Sequence, residues 1–214
     1  PPGHLAGHLT RRQILAAPAT LLAAAATARA QTRQEKGRLL LEQTLAALGG
    51  DRFLNSRDIV RRGRAYSFYR RDLRGLAKMT VYDRYDFLPE HPAEEQPDPD
   101  WLPVSRREVY TEKGDYYSLF RNGQGWEVTF RGARPLDPER MMRYRESVRR
   151  DIFYFLRYRL DEPGMYFYHR GSEIMDNTPT DAVEVTDSNS DAMTFFLRRS
   201  DHLPVQQIYH RRDP

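Results

Sequence analysis

Hydrophobic and polar positions alternate with a period of two through the middle of the chain. Trp126, Val128 and Phe130 fall on one face, and Glu127, Thr129 and Arg131 on the other. That is the pattern of a strand with one buried face. The surrounding run from Arg106 to Gly132, RREVYTEKGDYYSLFRNGQGWEVTFRG, predicts three consecutive antiparallel strands. Lys113-Gly114-Asp115 forms the first turn and Asn122-Gly123-Gln124-Gly125 the second. Asn-Gly suits a type I′ turn, whose two central residues need positive φ. Two strands precede this run, Ile59 to Arg70 and Leu76 to Leu88. The second sets Met79, Val81, Asp83, Tyr85 and Phe87 on one face. Later strands are expected over Met165 to Met175, bent near Gly171, then Ala182 to Thr186, Ala192 to Arg198 and Val205 to His210.

Helical spacing replaces the period of two at two places. Leu41, Leu45 and Leu48 mark a helix from Gln34 to Leu48, ended by Gly49-Gly50; Asp51 to Ser56 adds a short turn. A second helix begins at Asp137, a good N-cap, with Pro138 at its first position. Met141, Val148, Ile152 and Phe155 trace its apolar stripe towards Leu160. The fold class expected is α+β: a curved antiparallel sheet of about nine strands, an open half-barrel, with an N-terminal helix and a mid-chain helix over its concave face. If the space between helix and sheet is lined rather than filled, it is an apolar pocket. Its lining would come from Met79, Val81, Tyr85, Trp126, Val128, Phe130, Met141, Val148, Ile152 and Phe155. The alternative is that the helix stripe packs on the sheet and leaves no cavity.

Composition changes this picture in three places. The first thirty residues hold Arg11-Arg12, an Ala/Leu run from Ala16 to Ala28, and Ala28-Arg29-Ala30. A basic start, a short apolar run and small residues before a cut make a secretory signal peptide, which resembles the twin-arginine type and implies export by that or the general secretory route. Residues 31–214 then form a single domain, periplasmic or secreted, and Gln31 after the cut excludes a lipid-modified cysteine. The formal charge of +4 shrinks without those thirty residues, leaving 31 basic against 30 acidic residues. So balanced a body speaks against nucleic-acid binding. The interleaved Arg64, Tyr66, Phe68 and Arg70 read as a strand with arginine stems beside aromatics. From Pro89 to Pro103 the chain is rich in proline and acid, PEHPAEEQPDPDWLP. No regular structure fits that stretch; it is expected to be a loop or lid, with Trp101 as a clasp.

Candidate chemistry is sparse. With no cysteine, disulfides and cysteine zinc sites are excluded. His169 and His210 have no metal-ligand spacing. Asp187-Ser188-Asn189-Ser190-Asp191 imitates the start of a calcium loop but lacks its glycine and final glutamate, and reads as a hairpin turn. No nucleophile elbow or phosphate loop is present. Asp83, on an otherwise apolar strand face, either pairs with an arginine or reaches solvent. No catalytic residue, metal or cofactor is assigned.

The helix end and its continuation LAALGGDRFLNSRDIVRRGR, the strand pair YYSLFRNGQGWEVTF and the closing DAMTFFLRRSDHLPVQQIY resemble the LolA/LolB-like superfamily of periplasmic lipoprotein carriers. The resemblance covers roughly residues 34 to 210. It implies an open antiparallel barrel with a helical lid, no enzymatic activity, and non-covalent binding of a lipid or lipid-modified protein. The chain would be a monomer, with peripheral contact to envelope membranes. Two other classes stay open: an envelope protein-interaction module, favoured by a solid interior, and a hydrolase with two carboxylates, favoured by a polar cleft.

Overall fold

The structure, a computed structural model, describes residues 32–86 and 102–210. The signal-peptide reading of residues 1–30 lies outside the described residues. So does most of the proline- and acid-rich stretch, with Trp101.

Helix α1 (Arg33–Ala47) starts on a capping box: Thr32 accepts from the Glu35 N–H, and the Glu35 side chain accepts from the Thr32 N–H. Both bonds satisfy otherwise unpaired groups of the first turn. The helix stops before Gly49 and Gly50, at φ 119° and 55°. A short helix α2 (Asp51–Leu54) follows. Gly37 lies where α1 crosses the main chain of a strand, β7 below. A Cβ there would meet backbone atoms of Phe167, Tyr168 and His169 at 3.2 Å. Glycine costs a helix interior about 1 kcal/mol against alanine, and here it permits the close approach.

The strands are β1 (Asp58–Tyr69), β2 (Asp72–Tyr85), β3 (Val104–Val109), β4 (Tyr117–Arg121), β5 (Gln124–Thr129), β6 (Gly132–Pro135), β7 (Tyr166–Met175), β8 (Thr178–Thr186), β9 (Ala192–Arg198) and β10 (Pro204–Tyr209). The expectation of one nine-stranded sheet is corrected: the described residues form ten strands in two antiparallel sheets. β1 to β6 run as a six-stranded meander, and β10-β9-β8-β7 make the second sheet, neither closed into a barrel. The strand missed from sequence, β6, is four residues long and exposed throughout, so it carries no alternation. The Asn122-Gly123 turn has both residues at positive φ, 52° and 72°. The bend near Gly171 is a register shift between His169 and Gly171.

The mid-chain helix is also corrected, from one helix to two, α3 (Pro138–Arg150) and α4 (Ile152–Tyr158). Asp137 caps the first as expected, accepting from the Arg140 N–H at 2.8 Å. The break falls at Asp151, whose backbone is extended (φ −65°, ψ 129°) and whose carboxylate accepts from the Phe153 N–H. Asp competes with helix continuation and favours a new N-cap. The break lets α3 face the first sheet while α4 reaches both, its Tyr154 staying with the first cluster. Met141, Tyr144 and Val148 of α3 pack with Tyr85, Val104 and Phe120 of the first sheet. Ile152, Phe155 and Leu156 of α4 pack with α1 and with Phe167, Val183, Val185 and Phe195 of the second. Ile59 and Phe153 border both clusters.

The strand face assigned to Trp126, Val128 and Phe130 is the third correction. The residues of β5 that face α3 are Gly125 and Glu127, both buried. Trp126 and Val128 are half-buried on the opposite face, and Phe130, in the following turn, is 84% exposed. The alternation is real but its phase is reversed. Gly125 leaves room for Met141 and Leu136 to settle on the strand; a Cβ there would collide with Met141 Sδ.

Candidate functional site

Two features occupy the space between the six-stranded sheet and α3–α4. The first is a buried set of charges. Asp83 accepts from Arg106 Nε at 2.6 Å and from Arg61 Nη2 at 2.6 Å. Arg61 Nη1 also donates to Asp151 at 2.5 Å, and Arg106 Nη2 lies 3.7 Å from the same carboxylate. Asp83, Arg106 and Asp151 are each under a tenth exposed. Burial alone would lower the Arg106 pKa; the facing Asp83, which also bonds to it, outweighs that and holds it above its ordinary value. Burial, with Asp83 next in effect, pushes the neighbouring Tyr85 phenol far up, so it stays neutral. Asp151 thus serves as helix cap and as the charge that fastens the helix break to the sheet. Arg157 lies nearby between the rings of Phe53 and Tyr85, its carbon 4.1 and 4.4 Å from their centres.

The second feature is a groove of about 340 Å³ between α3, β3–β4 and the end of β10. Phe120 and Tyr144 line it, stacked with ring centres 3.8 Å apart and planes 8° from parallel. Tyr110 and Tyr209 add two more rings, and Arg140, Arg143, Glu108 and Glu146 supply its polar groups. Tyr110 donates to Glu108 at 2.6 Å; burial first and then Glu108 raise its pKa. Arg140 is tied to Glu127 at 3.3 Å, and Glu127 also accepts from Tyr116 at 2.8 Å and from Arg134. Those bonds, Tyr116 first, lower the Glu127 pKa. The groove therefore has an aromatic lining and a fixed polar frame.

Of the residues expected to line a cavity, Met79 borders a separate groove between β1, β2 and β3, and the others lie elsewhere. Met141, Val148, Ile152, Phe155 and Tyr85 are all buried, divided between the two cores. Met79 and Val81 are half-buried on β2, on the strand face they share with Asp83 and Tyr85. None of the ten lines the aromatic groove. Sequence reading singled out none of Tyr110, Phe120, Tyr144 and Tyr209 as lining a pocket. Phe120 shares a strand face with Ser118 and, across the pair, with Gly125, the face opposite the expected Trp126.

Asp83 resolves to its arginine-paired reading. His169 is buried with Nε2 2.9 Å from Asp181. The Asp187–Asp191 turn is held by Asp187 Oδ1, which accepts from the N–H groups of Asn189 and Asp191, and by Arg159. Among the described residues no group of three or more His, Asp or Glu side chains is placed to hold a metal ion. No described helix is long and apolar enough to cross a membrane.

No family model matches the sequence, and no curated protein matches it. Solved structures similar to it include a DUF1329 family protein from Desulfovibrio piger ATCC 29098, with TM-score 0.45 and 11% identity over 84% of this chain and 74% of that one. Another is an outer membrane lipoprotein-sorting protein domain from Vibrio parahaemolyticus, with TM-score 0.43 and 11% identity over 84% and 73%. At these scores the likeness bears on neither ligand nor partner.

Proposed function

We propose that this is an exported, carrier-like protein that binds a hydrophobic ligand, an acyl chain or lipid, without covalent chemistry. The observation that carries the proposal is the groove over the Phe120–Tyr144 stack. It is an aromatic-lined opening of about 340 Å³, within the range of roughly 300–1,000 Å³ for small-molecule sites. The driving force is removal of alkyl surface from water, about 0.8 kcal/mol per methylene. Ten methylenes give about 8 kcal/mol, which corresponds to micromolar binding before association costs. An anionic head group would sit at Arg143. Its present partner is the exposed Glu139, and a surface pair of that kind is worth little and is readily exchanged. Export rests on Arg11-Arg12, the apolar run and the Ala28-Arg29-Ala30 signal.

Ser147 lies on the α3 side of the groove, so Ser147→Trp fills the opening without removing a core side chain. The test is titration with a fluorescent fatty acid. The unaltered chain takes it up saturably and Ser147→Trp loses most of that affinity. No uptake by the unaltered chain, or equal uptake by both, overturns the proposal. A second reading, an envelope protein-interaction module, is favoured by the solid packing of Met141, Val148, Ile152 and Phe155.

A further inference from the structure

Beyond the Thr80–Val109 pair, β2 has no partner in β3. From there β1 and β2 continue as a two-stranded ribbon, paired from Gly63–Met79 out to Tyr69–Asp72. A ribbon of two strands has little stability of its own in water, yet this one exposes large apolar side chains. Tyr66 is paired with Leu76, and Phe68 with Leu73. Cross-strand partners share a face, so these four side chains make two apolar pairs, one on each side of a register shift between Ser67 and Phe68. They are 52%, 59%, 64% and 53% exposed, and Tyr69 at the tip is 61% exposed. Contiguous exposure on this scale marks an interaction surface.

Charge identifies the partner. Between Arg62 and Met79 the ribbon carries Arg62, Arg64, Arg70, Arg71, Arg74 and Lys78 against the single acid Asp72. Arg64 and Lys78 stand directly opposite each other, an arrangement that costs stability unless an anion offsets it. Lys78 is bonded to Glu112. Arg62 and Arg64 have no acidic partner among the described residues. Both line a groove of about 610 Å³ at the ribbon's base, together with Lys78, Arg107 and Lys113 and one acid, Glu112, which Lys78 already engages. Arg107 is held there over the ring of Tyr82, 4.3 Å from its centre. A second copy of this ribbon would set like charges against like. A surface that offers anionic groups above an apolar layer satisfies both halves of the pattern. Aromatic rings settle at the headgroup level of a bilayer, and each basic residue near an anionic surface adds about 1 kcal/mol.

We infer that the β1–β2 ribbon docks the protein on an anionic lipid bilayer. Tyr66, Phe68, Leu73 and Leu76 enter the interface, and the basin of Arg62, Arg64, Arg107 and Lys113 takes the lipid phosphates. This surface is separate from the aromatic groove and does not depend on the ligand proposed for it. The test is co-sedimentation of the full chain with large unilamellar vesicles of phosphatidylcholine, with and without a quarter phosphatidylglycerol. The unaltered chain pellets with the anionic vesicles, less so as salt is raised. Phe68→Ser with Leu73→Ser lowers that binding about tenfold. Arg62→Gln with Arg64→Gln lowers it at low salt and flattens its salt dependence. All four sites lie outside both cores, and thermal melting checks that each variant folds. Binding unchanged in both double variants, binding equal on the two vesicle types, or no binding by the unaltered chain overturns the inference.

Discussion

Asp83→Ala removes the anion shared by Arg61 and Arg106. Its side chain is fully buried and accepts from Arg106 Nε and Arg61 Nη2, both at 2.6 Å. After the change two guanidinium groups share Asp151, and Arg106 loses its shortest contact, keeping only distant ones: Asp151 at 3.7 Å and Glu108 at 3.9 Å. Removing one partner of a buried pair costs about 3–5 kcal/mol, chiefly through the charge left behind. Arg61 is a third exposed and Glu108 still offsets part of the excess, so the low end applies, about 3 kcal/mol. Equilibrium urea unfolding reads that as a midpoint lowered by about 1 M at a slope near 3 kcal/mol per M. The double variant Asp83→Ala with Arg106→Met leaves Arg61 and Asp151 as a balanced pair and recovers a large part of the loss. A single-variant cost under about 1 kcal/mol would refute the reasoning. So would a double variant no more stable than the sum of its two parts, because the four charges would then not act together.

Glu127→Gln should lower stability near neutral pH and flatten its fall in acid. The folded-state pKa of Glu127 is lowered by Tyr116 and then Arg134 from its ordinary 4.5. Its contribution is therefore fully present above that value and is lost as pH falls through the lower folded one. Thermal melts should separate the variant from the unaltered chain at pH 7 and bring them together towards pH 3; a gap that widens in acid contradicts this. Gly37→Val places a side chain against backbone atoms of β7 at 3.2 Å, atoms that cannot rotate away. The expected cost is about 1–3 kcal/mol, with faster amide exchange in β7, and unchanged exchange there would show that α1 does not seat on that strand.

The sequence made the elements legible wherever a local signal was sufficient. Thr32, Asp137 and Asn122-Gly123 each satisfy a local hydrogen-bonding or φ requirement, and the structure uses all three as expected. What failed was long-range. The strands divide into two sheets between β6 and β7, where α3 and α4 intervene, and no local pattern in the strands encodes that division. The break at Asp151 looked like helix because Val148, Ile152 and Phe155 keep helical spacing across it. The choice of face on β5 followed the rule that apolar side chains point inward. Here α3 packs over a glycine and a glutamate whose charge is bonded three ways. Asp83 was singled out as an acid among apolar neighbours, but its partners Arg61 and Arg106 lie on two other strands, and Asp151, which shares them, at the helix break. The aromatic groove was invisible for the same reason: Tyr110, Phe120, Tyr144 and Tyr209 meet only after the chain folds.

Native mass spectrometry of the protein isolated from the envelope of its own cells tests the binding of an acyl chain most directly. A folded charge state carrying a lipid-sized added mass, released on collisional activation and absent from Ser147→Trp, is the result expected. A bare polypeptide mass in the unaltered chain, with no adduct after incubation with fatty acid, would contradict it.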